Sequence, residues 1–327
     1  MEKIIKTIDV AVAGELNMDL ILYGLPETLD PEREHLADRM TLTLGSSSAI
    51  FAHNLAALGS RVGFISRIGN DGLGEAARRW LEEGGVDVSQ VHRGAGSCPT
   101  GLTVILAHDR YRNILTYPGT IFELCFEDID LDYVVSARHF HMASFFLHRA
   151  LRPRMRELFR KVKEAGLSVS LDTNDDPDDR WDGEISQVLE FVDIILLNER
   201  EIRKLAGAED LSEAMGRLAA RIPLVVAKLG ERGAMARRGN EHWQSSAVPV
   251  TAVDSVGAGD SFDAGFIHQY LRGADVETCL SFGNLAGALS VTRAGGTEAF
   301  RDREYAGNFL ASRWRQQKAP ERAPAIE

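Results

Sequence analysis

A short run between two aspartates, residues 254–262, combines the residue types that phosphoryl transfer needs. It reads Asp-Ser-Val-Gly-Ala-Gly-Asp-Ser-Phe, and an apolar pattern typical of a helix follows at once. Glycines let the backbone approach an anion closely, and the first N–H groups of a helix have no partner within it. The anion would bind at the turn formed by Gly257, Ala258 and Gly259. Asp260 would be the general base that takes the proton of an attacking hydroxyl, although the helix dipole alone also favours an aspartate there.

Alternating strands and helices predict the sheet that must position this turn. Buried strands are predicted at residues 8–13, 62–66, 139–142, 167–171, 193–197 and 224–228. Helical periodicity occupies most of the intervals between them. This order is typical of an α/β three-layer sandwich with a central, mostly parallel sheet, in which ligands bind at the carboxyl ends of the strands. Two segments, 16–44 and 98–120, do not fit that sheet.

The bulk properties restrict the kind of partner. The 327 residues carry a net charge of −11, which argues against nucleic acid. No apolar stretch is long enough to cross a membrane, and nothing at the N-terminus reads as a signal peptide. The three cysteines have no metal-like spacing, so a reducing compartment is predicted. We therefore expect a cytoplasmic enzyme without a nucleic-acid or membrane partner.

The sequence of residues 254–260 resembles the C-terminal signature of the ribokinase-like (PfkB) family of carbohydrate kinases, usually D-[TS]-x-G-A-G-D. The resemblance extends along nearly the whole chain. It implies one kinase domain over residues 1–315 that uses ATP and Mg²⁺ to phosphorylate a hydroxyl of a sugar-like molecule. The segments 16–44 and 98–120 would form a small β-sheet lid that excludes water. A polar tail, 316–327, is predicted to be disordered.

Two motifs are candidates for binding the acceptor. Asn17 and Asp19 follow the first strand and resemble the family's G-x-x-N-x-D, whose aspartate contacts sugar hydroxyls; an Asx turn is the alternative. Gly45 and Ser46 resemble the Gly-Gly pair that opens a helix in the family, although helix capping alone would also suit small hydroxyl residues there. The second glycine is replaced by Ser46, and Ile50 occupies the position of the usual substrate-binding asparagine. Asn54 lies one helical turn later, and it stays open whether its amide replaces the one that is missing at Ile50.

Nucleotide and metal contacts are implied by three further motifs. Asn198 and Glu201 match the family's N-x-x-E, in which Glu201 would hold Mg²⁺ through water, while a capping box explains the same pair locally. Lys228, Gly230 and Gly233 match the K/T-x-G-x-x-G that touches ATP. The helix residue that resembles the family's adenine wall is Asn284.

A monovalent cation such as K⁺ is a further implication of the resemblance. Asp254, Val256 and the carbonyls of residues 291–296 would hold it, as in several relatives. Relatives also often pair through their lids, so a homodimer is expected by the same resemblance.

Alternative functions remain at this point. An oxidoreductase would need Gly-x-Gly-x-x-Gly after the first strand, but Gly14 is followed by Glu-Leu-Asn. A non-catalytic sugar or nucleotide sensor would be expected to lack Asp260. A nucleoside kinase of the same family stays open because Ile50 removes the discriminating amide. A sugar phosphate acceptor is disfavoured by the acidic chain, although Arg110 and Arg112 provide positive charge in the proposed lid.

Overall fold

The computed structural model describes residues 6–94, 96–108 and 111–317. Its strands are β1 (Ile8–Ala13), β2 (Met18–Tyr23), β3 (Arg39–Leu44), β4 (Val62–Ile68), β5 (Asp87–Arg93), β6 (Leu102–Ala107), β7 (Arg112–Tyr117), β8 (Ala137–Met142), β9 (Ser168–Leu171), β10 (Ile194–Asn198), β11 (Leu224–Lys228), β12 (Ala234–Arg238) and β13 (Glu241–Ser245). Its helices are α1 (Ser47–Ala57), α2 (Gly72–Glu83), α3 (Leu131–Val135), α4 (Met155–Glu164), α5 (Ile185–Val188), α6 (Glu199–Ala206), α7 (Leu211–Ala219), α8 (Ala258–Leu271), α9 (Val276–Ser290), α10 (Glu298–Arg301) and α11 (Arg303–Gln317).

The main sheet has nine strands in the order β13-β12-β11-β10-β9-β8-β1-β4-β5. In this order all neighbouring strands from β11 to the edge strand β5 are parallel. The hairpin of β12 and β13 adds two strands with antiparallel pairing at the other edge. Both faces of the sheet are buried. Val10 and Val12 of β1 belong to one core cluster, with α1 and α8, whereas Ala11 and Ala13 belong to the other, with α4. The predicted three-layer α/β fold with a mostly parallel sheet is therefore confirmed.

A separate sheet of four strands has the order β3-β2-β6-β7. Its strands come from the two segments, 16–44 and 98–120, that do not fit the main sheet. Ile21 of β2 and Ile105 of β6 are buried against Val256, which precedes the α8 turn. The small sheet thus lies over the 254–257 segment, and its action as a lid stays a prediction.

Several local predictions differ from the structure. The edge strand β5 and the short helix α3 are absent from the sequence analysis. The helical pattern between the predicted strands at 167–171 and 193–197 corresponds to α5 followed by a 3-10 turn, Leu189–Phe191. Helix α11 continues to Gln317, two residues into the tail predicted to be disordered, and residues 318–327 lie outside the described residues. Among the described residues no helix has the length and apolar character needed to span a membrane.

Candidate active site

The N-terminus of α8 forms the floor of the site. Gly257 precedes this helix with a φ of 72°, which is a left-handed conformation that favours glycine. A Cβ atom at Gly257 would lie 2.6 Å from Cα of Gly296. The turn can therefore pack against the 291–296 loop only with glycine at this position. The unpaired N–H groups of the first turn of α8 remain available for an anion.

Asp260 is buried in the first turn of α8. Burial and the neighbouring charge of Asp172 raise the pKa of its carboxyl group to about 7, against opposing effects of Lys228 and of a hydrogen bond from Ser47. A base is most effective when its pKa lies near the working pH. The environment of Asp260 therefore suits proton transfer from a hydroxyl at neutral pH.

Asp19 faces Asp260 from the small sheet. Burial raises the pKa of Asp19 to about 7, and the charge of Asp260 contributes to that rise. The Asn17 Nδ2 atom donates to Thr103 Oγ1 at 3.3 Å and to Asp19 Oδ1 at 3.4 Å, which ties this carboxylate to β6. A Cβ atom at Gly45 would lie only 2.1 Å from Asp19 Oδ1. Asn17, Asp19 and Gly45 are therefore brought together, close enough to Asp260 for its charge to affect the pKa of Asp19, and their binding of the acceptor stays a prediction.

Ser46 occupies a conformation that suits the glycine it replaces. Its φ of 73° is unusual for a residue with a side chain. The hydroxyl group donates to the Glu15 carbonyl and accepts from the Ala49 backbone, so Ser46 also caps α1. These hydrogen bonds compensate for part of the backbone strain.

The missing substrate amide is not replaced by Asn54. Its Nδ2 donates to Ser261 Oγ and to the Gly296 carbonyl, both at 2.9 Å, so the side chain holds the 291–296 loop. Ile50 is buried close to Gly257 and Gly296. The Asn54 amide is therefore engaged within the protein, and the apolar Ile50 stands where the family usually has an asparagine.

Lys228 belongs to a buried charge cluster that the sequence analysis missed. Its Nζ lies 2.6 Å from Asp172 Oδ2 and 3.0 Å from Asp263 Oδ2. Burial opposes the charged form, but these two carboxylates raise the pKa of Lys228 above its ordinary value. A Cβ atom at Gly259 would lie 3.4 Å from Nζ, so the cluster borders the turn that is predicted to bind an anion. The sequence contains one signal for this neighbourhood: Asp263 lies three residues after Asp260, so both aspartates lie on the same face of the helix.

A cavity of about 520 Å³ lies beside the α8 turn. Five residues predicted to contact the nucleotide line it: Lys228, Gly230, Gly233, Gly259 and Asn284. Asn284 Nδ2 donates to the carbonyls of Ser245 and Ser246 at 3.0 and 3.1 Å, so this side chain also holds the cavity wall in place. Asn198 and Gly257 do not line the cavity.

Apolar side chains that the sequence analysis did not single out form much of the cavity wall. They are Val248, Val250, Phe262, Ala288 and Val291. An apolar wall with a few polar groups is typical of a site for a flat organic ring. No short motif marks these residues, because the chain brings them together from a loop and two helices.

Asn198 and Glu201 form the capping box that was the local alternative. The Asn198 N–H donates to Glu201 Oε2, and the Glu201 N–H donates to Asn198 Oδ1, each at 2.9 Å. Burial and the charge of Asp172 raise the pKa of Glu201 to about 7. Within the described ranges no group of three or more His, Cys, Asp or Glu side chains could hold a metal ion. The predicted Mg²⁺ contact of Glu201 through water stays a prediction.

Asp254 connects three parts of the site. Its Oδ2 accepts from Tyr23 Oη at 2.8 Å and from the Gly295 N–H at 3.0 Å, and its Oδ1 accepts from the Val256 N–H at 3.0 Å. The carboxylate therefore joins the small sheet to the α8 turn and the 291–296 loop. Any K⁺ here would depend largely on backbone carbonyls. Arg112 also reaches this segment, with Nη1 3.1 Å from Ser255 Oγ, while Arg110 lies outside the described residues.

Comparison with known proteins identifies the family. A family model for pfkB family carbohydrate kinases matches residues 7–303. The chain belongs to the PfkB family of carbohydrate kinases. This PfkB protein is 34% identical to an ATP-dependent ribose-1-phosphate kinase of Halopiger xanaduensis, over 89% of this chain and 94% of the relative. It is 28% identical to a nucleoside kinase of Methanothermobacter thermautotrophicus, with coverages of 94% and 96%.

A solved structure gives the same result for the fold. Arabidopsis thaliana ribokinase complexed with ribose and ATP superimposes with a TM-score of 0.78 and 26% identity, covering 93% of this PfkB protein and 98% of the ribokinase. The chain is an ATP-dependent carbohydrate kinase, a sugar or nucleoside kinase with an alcohol group as acceptor. The oxidoreductase and sensor alternatives do not agree with these relatives, which are named as kinases.

Proposed function

We propose that this enzyme transfers the γ-phosphoryl group of ATP to a hydroxyl of a sugar or sugar-like molecule, with Asp260 as the general base. The observation that carries the proposal is the position of Asp260. It is buried in the first turn of α8, beside the anion-binding turn and opposite Asp19. A base and an anion site at one helix terminus fit in-line transfer to an alcohol.

The acceptor would lie between Asp19 and Asp260. Asp19, held by Asn17, would accept hydrogen bonds from acceptor hydroxyls, and the turn at Gly45 and Ser46 would bound the opposite side. As the hydroxyl oxygen attacks the γ-phosphorus, its proton moves to the Asp260 carboxylate and the bond to the β-phosphate oxygen breaks. The backbone N–H groups from Gly257 to Gly259 would stabilise the charge on the transferring phosphoryl oxygens.

The nucleotide would occupy the cavity beside α8. The base would pack against its apolar wall near Asn284, and the phosphates would extend towards Gly230, Gly233 and Lys228. Asn198 and Glu201 would hold Mg²⁺ through water. When bound, Mg²⁺ would neutralise charge on the phosphate oxygens. The raised pKa of Glu201 supports this assignment, because a nearby cation would favour its ionised form.

The proposal also includes a monovalent cation beside Asp254. The Asp254 carboxylate already accepts three hydrogen bonds from the protein. If K⁺ binds to the neighbouring carbonyls, turnover will rise when KCl replaces tetramethylammonium chloride at equal ionic strength. Equal turnover in the two salts would remove K⁺ from the proposal.

A coupled ADP-release assay with Mg-ATP tests the function. The acceptor panel is D-ribose, D-fructose, 2-dehydro-3-deoxygluconate, ribose 1-phosphate and adenosine. Adenosine represents the nucleoside kinase alternative, which the 28% identical relative favours. Asp260→Asn should lower acceptor-dependent turnover roughly 10²–10⁴-fold, because it removes the base. Asp182→Asn, the same change at an exposed residue, is the control. Unchanged turnover in Asp260→Asn would refute the assignment of the base.

We further propose that two copies pair through the small sheet. Ile114 and Leu115 of the edge strand β7 are 57% and 55% exposed, so apolar side chains on both faces of this strand meet solvent. The double change Ile114→Lys and Leu115→Lys should convert a dimer to a monomer in sedimentation velocity. Leu36→Lys, at an exposed apolar residue outside the strands, should leave the dimer intact. A wild-type monomer would refute the pairing.

A further inference from the structure

The turn that opens α1, residues 45–48, lies against the chain segment 15–19. The Gly45 N–H donates to the Asn17 carbonyl at 3.0 Å. A Cβ atom at Gly45 would lie 2.1 Å from Asp19 Oδ1, so the two segments are in close contact here. In the proposed function they form two sides of the acceptor site. The distance between them therefore sets the width of that site.

The Glu15 side chain adds a charged link between the two segments. The Ser48 N–H donates to Glu15 Oε1 at 3.2 Å, and the Ser48 hydroxyl donates to Oε2 at 2.7 Å. The first N–H groups of a helix lack partners within it, and the helix dipole favours a negative charge there. A Cβ atom at Gly14 would lie 2.0 Å from Ser48 Oγ, so glycine at this position permits the close approach. Glu15 thus satisfies the start of α1 from the end of β1.

Glu15 is enclosed by protein groups. The Ser144 hydroxyl donates to Glu15 Oε1 at 2.8 Å, and His148 Nε2 lies 3.4 Å from Oε2. Burial alone would raise the pKa of Glu15, but the hydrogen bond and charge of His148 and the Ser48 hydroxyl lower it to about 2. The carboxylate is therefore ionised at neutral pH. Because Glu15 is only 3% exposed and each of its oxygens has two protein neighbours, it acts through these neighbours and not by contact with the acceptor.

We infer that Glu15 is a positioning residue for the acceptor, because its carboxylate holds the 45–48 turn at a fixed distance from Asn17 and Asp19. The inference rests on the acceptor site of the proposed function. Without the carboxylate the Ser48 N–H would lose its partner, and the turn would be free to move away from Asp19. Binding of the acceptor would then have to order the turn, which lowers affinity. Glu15 and this turn are not among the residues that line the nucleotide cavity, so ATP binding should be unaffected.

Two substitutions separate this role from an effect of charge alone. The charge of Glu15 also contributes to the raised pKa of Asp260. Glu15→Gln removes the charge but keeps an oxygen that can accept from the Ser48 N–H. Glu15→Met has a similar length and removes both the charge and the acceptor. A positioning role predicts a large effect of Glu15→Met and a small effect of Glu15→Gln, whereas an effect of charge alone predicts equal effects.

Amide hydrogen exchange, measured by mass spectrometry, tests the positioning without knowledge of the acceptor. In Glu15→Met the amides of residues 45–49 should exchange about tenfold faster than in wild type, because the turn opens more often once the Ser48 N–H has lost its partner. In Glu15→Gln their exchange should stay within about threefold of wild type. The amides of α8 should exchange at the wild-type rate in both variants, which would show that the change is local.

Kinetics with the acceptor panel test the consequence for binding. Glu15→Met should raise the KM for the acceptor about tenfold and change the KM for ATP by less than about twofold. Ser48→Ala removes one hydrogen bond to the carboxylate and leaves Glu15 in place. It should raise the acceptor KM about threefold. The inference therefore stays testable if Glu15→Met does not fold.

Asp193→Leu is the matched control. The Asp193 carboxylate accepts from the Val169 N–H at 2.7 Å and pairs with Lys163 Nζ at 2.7 Å. It has the same kinds of partner as Glu15, but it precedes β10 at the amino ends of the strands, away from the proposed site. Its loss should lower the free energy of unfolding and leave both KM values and the exchange of residues 45–49 unchanged.

The possible results separate this inference from the proposed function. Equal exchange of residues 45–49 in wild type and Glu15→Met would refute the positioning role, and so would equal effects of Glu15→Gln and Glu15→Met. Faster exchange with an unchanged acceptor KM would show that the turn does not bound the acceptor site. If Asp260→Asn retains turnover, the general base is refuted, but the role of Glu15 is not, because it concerns the acceptor site alone.

Discussion

Asp260→Asn should stabilise the folded protein while it removes activity. The pKa of the Asp260 carboxyl rises from an ordinary value of 3.8 to about 7, first because it is buried and then because Asp172 is close. Below pH 3.8 both the folded and the unfolded chain hold the proton. Between pH 3.8 and about 7 the unfolded chain ionises and the folded chain does not, so the free energy of unfolding falls as the pH rises. Above about pH 7 this loss is complete.

The size of the effect follows from the same rise. An increase of about three pH units, at about 1.4 kcal/mol each, gives a destabilisation of about 4 kcal/mol at pH 8. Asparagine removes the charge but also loses the attraction of Lys228 and alters the hydrogen bond from Ser47. We assign half of the total to these losses. The free energy of unfolding of Asp260→Asn at pH 8 should therefore exceed that of wild type by about 2 kcal/mol.

Urea unfolding at pH 5 and pH 8 measures this effect. The free energy of unfolding of Asp260→Asn should exceed that of wild type by under about 1 kcal/mol at pH 5 and by about 2 kcal/mol at pH 8. The difference grows because most of the destabilisation of wild type develops between these two pH values. Asp182→Asn is exposed and should match wild type at both pH values. An advantage that stays constant or shrinks towards pH 8 would show that Asp260 does not carry a raised pKa, and the electrostatic description of the site would fail.

Three other changes test the geometry of the site. Ser46→Gly should raise the free energy of urea unfolding by about 1 kcal/mol, since the relief of its positive φ exceeds the loss of the cap; a lower value would mean that the cap dominates. Lys228→Met should lower the free energy of unfolding by about 3 kcal/mol, because Asp172 and Asp263 are left buried without a cation. An unchanged free energy of unfolding would show that the ion pair adds no stability. Gly45→Ala should raise the KM for the acceptor about tenfold and leave that for ATP unchanged, because the new Cβ would clash with Asp19; an unchanged acceptor KM would remove Asp19 from that site.

The sequence predicts best those elements whose signals are local and strong. The bounds predicted for β1 and β11 agree with the structure, since both are largely apolar, and the capping box of Asn198 and Glu201 marks the start of α6. Strand β5 is different: it is an edge strand in which five of seven residues are polar, so it lacks a buried pattern. Helix α3 has only five residues and contains Tyr-Val-Val, a sequence more typical of a strand.

The site is less predictable because its contacts are not local. The family resemblance gives candidate residues one by one, but it does not predict that Lys228 pairs with Asp172 and Asp263, which come from different elements. Similarly, Asn54 lies on the same helix as Ser47, yet its amide holds the 291–296 loop while the Ser47 hydroxyl oxygen accepts from Asn174 Nδ2. The neighbours of a side chain depend on the packing of whole elements, which one motif does not contain.

In the proposed mechanism a helix terminus, rather than a row of basic side chains, would face the phosphates, and the charge of the site gives a physical reason for this arrangement. A free cation beside Asp260 would lower its pKa and weaken it as a base. Lys228 is close, but two aspartates share its charge. The backbone N–H groups of α8 can hold an anion without adding a full positive charge. In the proposed mechanism the remaining charge of the nucleotide would be left to Mg²⁺, and the acidic groups would repel one another until it binds. The instability that Asp260→Asn should relieve is therefore a consequence of keeping a strong base next to an anion site.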